Sequence, residues 1–144
     1  MNKKILKLII PVLIMTLSIF VLNKSVIAKE VAYLSASSAN TWLAASVKEM
    51  DAVASANGIN ITEFDAQFDP AKQTAQLQDA IASGKYDGIV LCAIYGVGLI
   101  PDIEAAIDAG IEIVVLNQVV GADLTTSDPQ VDGIAASVLA SSTA

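Results

Sequence analysis

The stretch from Asp65 to Asn117 constrains the fold more than any other part of the chain, because helical periodicity alternates there with short unbroken apolar runs. Asp69 can cap a helix whose first position is Pro70: the capping carboxylate accepts from free backbone N–H groups, and Pro has no N–H to leave unpaired. Thr74, Leu77 and Ile81 recur at helical spacing beside small alanines, which predicts a narrow buried stripe with Gln73, Gln76 and Asp79 facing out. Gly84 stops that helix. Ile89 to Ala93 and Ile111 to Leu116 are nearly continuous apolar runs, the pattern of strands buried on both faces of a parallel sheet. Between them Pro101 to Ala109 reads as a second helix, ended by Gly110. Strands and helices in alternation imply right-handed crossovers, and therefore an α/β fold with an open parallel sheet.

Upstream the same grammar continues. Val31 to Leu34 reads as a first strand, and Ser35 to Asn40 as a polar loop leading into a helix. Leu43, Val47, Met50 and Ala54 repeat at helical spacing, and Asn57-Gly58 closes that helix. Ile59 to Phe64 is the second strand. In an open parallel sheet, ligands bind outside the carboxyl ends of the strands, near the point where strand order reverses. Four loops follow those ends: Ser35 to Trp42, Asp65 to Phe68, Ile94 to Gly98 and Asn117 to Val120. Their Ser and Asn side chains can hydrogen-bond, and Trp42 and Tyr95 offer flat apolar platforms, which suits a small neutral polyhydroxyl ligand.

Composition matters chiefly at the amino end. Lys3, Lys4 and Lys7 precede a near-uncharged run, Leu8 to Leu22, and the small-residue site Val26-Ile27-Ala28 follows. This is the pattern of a secretory signal cut after Ala28, which places the product in the periplasm. An uncut membrane anchor is the alternative reading of the same run, although it is short for a span and contains Pro11. Nothing after Ala28 is expected to insert into a membrane. Cutting there removes four of the eight Lys+Arg and none of the fifteen acids, leaving a net charge of −11, with no Arg and no His. So acidic a surface repels phosphate backbones, which argues against nucleic acid as a partner. The absence of Arg also removes the usual two-pronged clamp for carboxylate or phosphate.

No catalytic constellation is evident. Cys92 lies inside an apolar run with no His to activate it, so it reads as a small core residue. Gly96-Val97-Gly98 after Tyr95 lacks the remainder of either nucleotide fingerprint, and no cofactor is expected. Asp65, Asp69, Asp87, Asp102 and Asp108 are scattered over caps and helix faces, which does not make a metal site. No Gly-x-Ser-x-Gly elbow surrounds a serine.

Asp65-Ala66-Gln67, Asp69-Pro70-Ala71-Lys72-Gln73, Tyr86-Asp87-Gly88-Ile89 and Asp108-Ala109-Gly110-Ile111 together resemble the first lobe of type I, ribose-binding-like periplasmic sugar-binding proteins of ATP-binding cassette importers. The resemblance covers nearly all of Val31 to Asn117. It implies a Rossmann-like lobe with helices on both faces of the sheet, a sugar or sugar-like polyol as ligand, a membrane importer permease as partner, and no enzymatic step. It also implies ligand-binding roles. Asn40 and Trp42 match the asparagine and first aromatic of a motif that grips and stacks on the sugar, although Thr41 stands for its Pro and Leu43 for its second aromatic. Asn117-Gln118 stands where ribose-type members carry an Asp-Arg pair, so charge-assisted grip on ring hydroxyls is missing while neutral amides still donate and accept. Trp42 packing at a helix start, and Asn117 serving a turn, are the plainer alternatives.

Ser127 to Ala136 resembles the segment that leads across the hinge, forms a strand and starts the first helix of the second lobe. The resulting division is a signal over 1–28, an amino-terminal ligand-binding lobe over 29–122, and a hinge with the start of a second lobe, cut short, over 123–144. Ile134 to Leu139 would then leave apolar surface exposed. Two other readings share this sheet class. The effector half of a lactose-repressor-type regulator would begin with a basic helix-turn-helix, which is missing. A flavodoxin-like or response-regulator domain would need a phosphate loop or an acidic cluster with a lysine at the strand ends.

Overall fold

The computed structural model describes residues 28–139. The secretion-signal reading therefore lies outside the described residues except at Ala28. The elements in chain order are β1 (Lys29–Ser35), α1 (Thr41–Ala56), β2 (Ile59–Asp65), α2 (Pro70–Ser83), β3 (Gly88–Leu91), α3 (Ile100–Asp108), β4 (Glu112–Asn117) and β5 (Ile134–Leu139). A 3₁₀ turn, Gly96–Leu99, leads into α3.

All five strands run parallel, in the order β2-β1-β3-β4-β5. The chain steps from β1 outward to β2, then crosses back over β1 to lay down β3, β4 and β5 on the other side. Strand order thus reverses between β1 and β3. The crossovers from β1 through β4 each carry a helix, the connection from β4 to β5 is a loop, and the helices divide between the two faces. Leu77 and Ala80 of α2 and Ile103 and Ala106 of α3 pack with Leu34, Ile89, Leu91, Ile113 and Val115 in one core. Leu43, Val47 and Met50 of α1 pack with Tyr33 and Val90 in the other. Layers on both sides explain why β3 and β4 read as continuous apolar runs.

The caps form as the residue types predict. The Asp69 carboxylate accepts from the N–H groups of Ala71 and Lys72 at 2.8 and 3.2 Å, and Gly84 takes the left-handed conformation at φ 60°. Two expectations about α2 fail. Gln73 is fully buried, and Gln76 is half-buried with its amide donating to the Asp65 carbonyl at 3.0 Å. The reason is that side-chain amides can pair backbone groups inside a protein, so polarity alone does not turn them outward.

The carboxyl end also departs from expectation. Residues 134–139 form a fifth strand of the same sheet, not the start of a helix on another lobe. β5 pairs with β4 over Ile113↔Ile134 to Asn117↔Leu139, with a bulge between Ile113 and Val114. A short Ala-rich segment has little helical stability of its own, whereas the open edge of β4 offers a row of unpaired N–H and C=O groups. Gly133 turns the chain into β5 at φ 91°, and a Cβ there would meet Ile107 Cγ2 at 2.7 Å. Of the apolar surface expected here, Ile134 is buried and Val138 is 53% exposed.

Candidate functional site

A cleft of about 480 Å³ opens at the carboxyl ends of β1, β3 and β4, beside the reversal of strand order. Ala36, Leu43, Cys92 and Ala93 make its floor, all of them buried. Asn40, Trp42, Phe68, Ile94, Asn117 and Gln118 stand around it. No charged side chain lines it.

The loops that carry these residues are tied to one another. At the end of β2, Asp65 accepts from the Ser38 N–H at 3.1 Å, the Ser38 hydroxyl at 2.7 Å and the Gln67 N–H at 2.8 Å. These bonds, the Ser38 hydroxyl foremost, hold its carboxyl below the ordinary value of 3.8. The Phe68 N–H donates to the Ala36 carbonyl at 2.8 Å. Gln67 and Phe68 are thereby held at φ 56° and 59°, a left-handed pair that costs about 1–3 kcal/mol per residue when neither is glycine. The outcome of that strain is a Phe68 ring 57% exposed on the cleft wall.

Asn40 caps α1, its carbonyl oxygen accepting from the Trp42 and Leu43 N–H groups at 3.0 and 3.1 Å. The oxygen is engaged by the helix, and its amide N–H groups remain as donors at the cleft. Trp42 sits in the first turn of α1, 47% exposed beside the cleft. Asn117 ends β4 at φ 72°, a conformation Asn tolerates better than most residues, and Gln118 follows with its N–H bonded to the Leu116 carbonyl at 2.9 Å. Four of the five sequence candidates, Asn40, Trp42, Asn117 and Gln118, thus converge on one cleft. Tyr95 does not join them. It lines a neighbouring groove of about 280 Å³ with Pro70, Thr74 and Leu99, its ring lying against Gly98, where a Cβ would come within 2.5 Å of it.

Beneath the floor lies Gln73 of α2. Its amide donates to the Cys92 carbonyl at 2.9 Å and its oxygen accepts from the Ile94 N–H at 2.9 Å. One buried side chain therefore fixes both sides of Ala93, where the backbone leaves β3 and enters the cleft. Burial pushes the Cys92 thiol pKa up and that of Tyr33 to about 12, so both stay neutral below the cleft. Phe68 and Gln73 are the residues that sequence reasoning missed. Phe68 lay in a loop already marked by its place after a strand, but the turn that exposes it has no sequence signature.

Neutral amides, an engaged asparagine and two exposed aromatic rings can hold an uncharged polyhydroxyl molecule by hydrogen bonds and by C–H contact with a ring face. Among the described residues no group of His, Cys, Asp or Glu could hold a metal ion.

Residues 31–139 match a family model described as periplasmic binding protein domain. Solved structures of the same fold include a galactofuranose binding protein (22% identity, TM-score 0.65, 78% of this chain and 36% of that one). Another is an ABC transporter solute binding protein from Agrobacterium vitis bound with alpha-D-tagatopyranose (23%, 0.67, 77% and 38%). A third is the Caulobacter myo-inositol binding protein bound to myo-inositol (17%, 0.59, 72% and 34%). At these identities the likeness is one of fold, and the chain spans little more than a third of each of those proteins. No curated protein matches it.

Proposed function

The chain belongs to the periplasmic binding protein domain family, and from that premise we propose that its cleft is one wall of a solute-binding site for a sugar or sugar-like polyol, in a receptor that serves an ATP-binding cassette importer. The observation that carries this reading is the convergence of Asn40, Trp42, Phe68, Asn117 and Gln118 on a cleft with no charged lining. Such a wall rewards hydroxyls and ring C–H faces and offers a carboxylate or phosphate no opposite charge. The solved structures named above, a galactofuranose binding protein and proteins bound with alpha-D-tagatopyranose and myo-inositol, agree with that ligand class.

In this reading the ligand is captured and released without a bond made or broken. Asn40 donates through its amide, Asn117 and Gln118 donate and accept, and Trp42 and Phe68 stack. A second lobe closes over the ligand from the other side by hinge motion, and the closed form is presented to the permease. Residues 1–28 act as a secretion signal cut after Ala28, which delivers the domain to the periplasm. Residues 29–122 supply the cleft, and 123–144 lead toward the hinge, with β5 completing the sheet on the way.

One wall buries only part of a ligand, so this chain alone binds weakly, with a Kd in the range of about 1 mM or above. Trp42 is the only tryptophan and stands at the cleft, which makes it the reporter. Titration with galactose, tagatose, ribose, myo-inositol and glycerol should change its emission at millimolar concentrations, and Asn117→Ala should weaken the response. Tight binding of an anionic nucleotide, or a flavin absorbance in the purified protein, would overturn the reading in favour of a flavodoxin-like domain.

A further inference from the structure

Taking the cleft as the solute site of the preceding reading, we propose that Asp65 and Ser38 are its positioning residues: they raise its affinity by locking the Phe68 ring onto the wall before a ligand arrives. Neither side chain lines the cleft itself. Their effect on a ligand passes through the ring.

Phe68 is 57% exposed, so packing does little to hold it, and the backbone must do so. That backbone is fully engaged. Four successive N–H groups donate within the turn or to the end of β1: Ala66 to the Ser35 carbonyl at 3.1 Å, Gln67 to Asp65 Oδ1 at 2.8 Å, Phe68 to the Ala36 carbonyl at 2.8 Å and Asp69 to the Ala66 carbonyl at 3.0 Å. The turn is anchored at its entry as well, where the Gln76 amide of α2 donates to the Asp65 carbonyl at 3.0 Å. Asp65 is the side chain that joins this turn to the loop before α1, through the Ser38 N–H to Oδ1 at 3.1 Å and the Ser38 hydroxyl to Oδ2 at 2.7 Å. That loop is rigid in its own right. The Asn40 N–H donates to the Ser37 carbonyl at 3.2 Å and the Ala39 N–H to Ser37 Oγ at 3.3 Å, while the Asn40 side chain caps the helix. Breaking the Asp65 link therefore frees the Phe68 turn first.

What the link opposes is the preference of the turn itself. Gln67 and Phe68 sit side by side at φ 56° and 59°, where a Cβ crowds the backbone, and such a pair persists only when the surroundings over-determine it. Released, the two residues return toward negative φ, and the ring attached to Phe68 Cα is carried off the wall. A ligand would then have to restore the left-handed pair before it could stack, and its apparent affinity falls by the fraction of chains in which the ring is in place. Holding the ring beforehand removes that cost.

The test titrates the full 144-residue chain with tagatose and with myo-inositol, reading the amide shifts of Asn117 and Gln118 across the cleft. Asp65→Ala should weaken binding about tenfold, the effect of a ring in place about a tenth of the time. Ser38→Ala should lose less, and Ser38→Thr, which keeps the hydroxyl, should recover most of what Ser38→Ala loses. In a Phe68→Ala background, Asp65→Ala should cost no more than about twofold further, because the group it acts through is gone, whereas general loosening of the domain subtracts alike in both backgrounds. Equal losses with and without the ring, or unchanged binding in both Asp65→Ala and Ser38→Ala, overturn the proposal while the cleft reading stands. If Asp65→Ala does not fold, Ser38→Ala with and without Phe68→Ala makes the same comparison. A wild type with no saturable shift for either compound overturns the cleft reading and the positioning role with it.

Discussion

Gln73 shows how much of the cleft depends on a residue that touches no ligand. Gln73→Leu keeps the volume but leaves the Cys92 carbonyl and the Ile94 N–H buried and unpaired, a cost of roughly 2–4 kcal/mol in all. Chemical denaturation should show that loss, and an unchanged midpoint would contradict the role assigned to the side chain. Asp65 makes a different prediction. Its folded pKa is depressed by the Ser38 hydroxyl and the Gln67 and Ser38 N–H groups, so the stability it contributes is present above the unfolded carboxylate value of 3.8 and is lost as pH falls through the folded one. Thermal midpoints should hold from neutral pH to about pH 5 and drop below about pH 4, with a smaller drop in Asp65→Asn. Cys92, buried and with a raised pKa, should be inert to thiol reagents at neutral pH until the chain unfolds. The sequence made Cys92 and the capping Asp69 legible because each role follows from residue type and local pattern. It could not show Gln73 as buried, because the groups that satisfy the amide lie in β3, distant in sequence.

At the scale of elements, caps and periods were readable and pairing was not. Pro70 at a helix start behind Asp69, Gly84 at its end and the unbroken apolar runs of β3 and β4 follow from local steric and hydrogen-bonding rules, and the structure has each of them. Asp69→Ala should lower stability by about 1 kcal/mol, measured by denaturant midpoint, since two N–H groups of α2 lose their acceptor. β5 is the counterexample. Nothing within Ile134 to Leu139 distinguishes a helix start from a strand; the partner edge of β4 decides it. Hydrogen exchange should separate the two kinds of strand. Amides of β1 and β3, flanked on both sides, should exchange last, and those of β5, paired to β4 alone among the described strands, earlier. Protection of β5 equal to that of β1 would contradict this topology.

For the molecule as a whole, the sheet order carries the functional argument. Reversal between β1 and β3 parts the loops that leave their carboxyl ends, and the gap so made is the cleft that Trp42 and Asn117 face from opposite sides of the break in sequence. At this scale the sequence shows which loops meet, and the side chains they bring to the cleft are uncharged amides, rings and small apolar groups. Tyr95 was misplaced because adjacency in a loop does not say which side of the β3 end a ring will take, and its contact with Gly98 turns it to the neighbouring groove. Among the described residues no helix is long and apolar enough to cross a membrane. The most direct measurement is a map of backbone amide shifts during titration with tagatose and myo-inositol. The account predicts millimolar, saturable shifts at Asn40 to Leu43, Phe68, Ile94 and Asn117-Gln118, and none around Tyr95 and Pro70. Saturable shifts centred on the Tyr95 groove, or no shift at the cleft for any polyol, would contradict it.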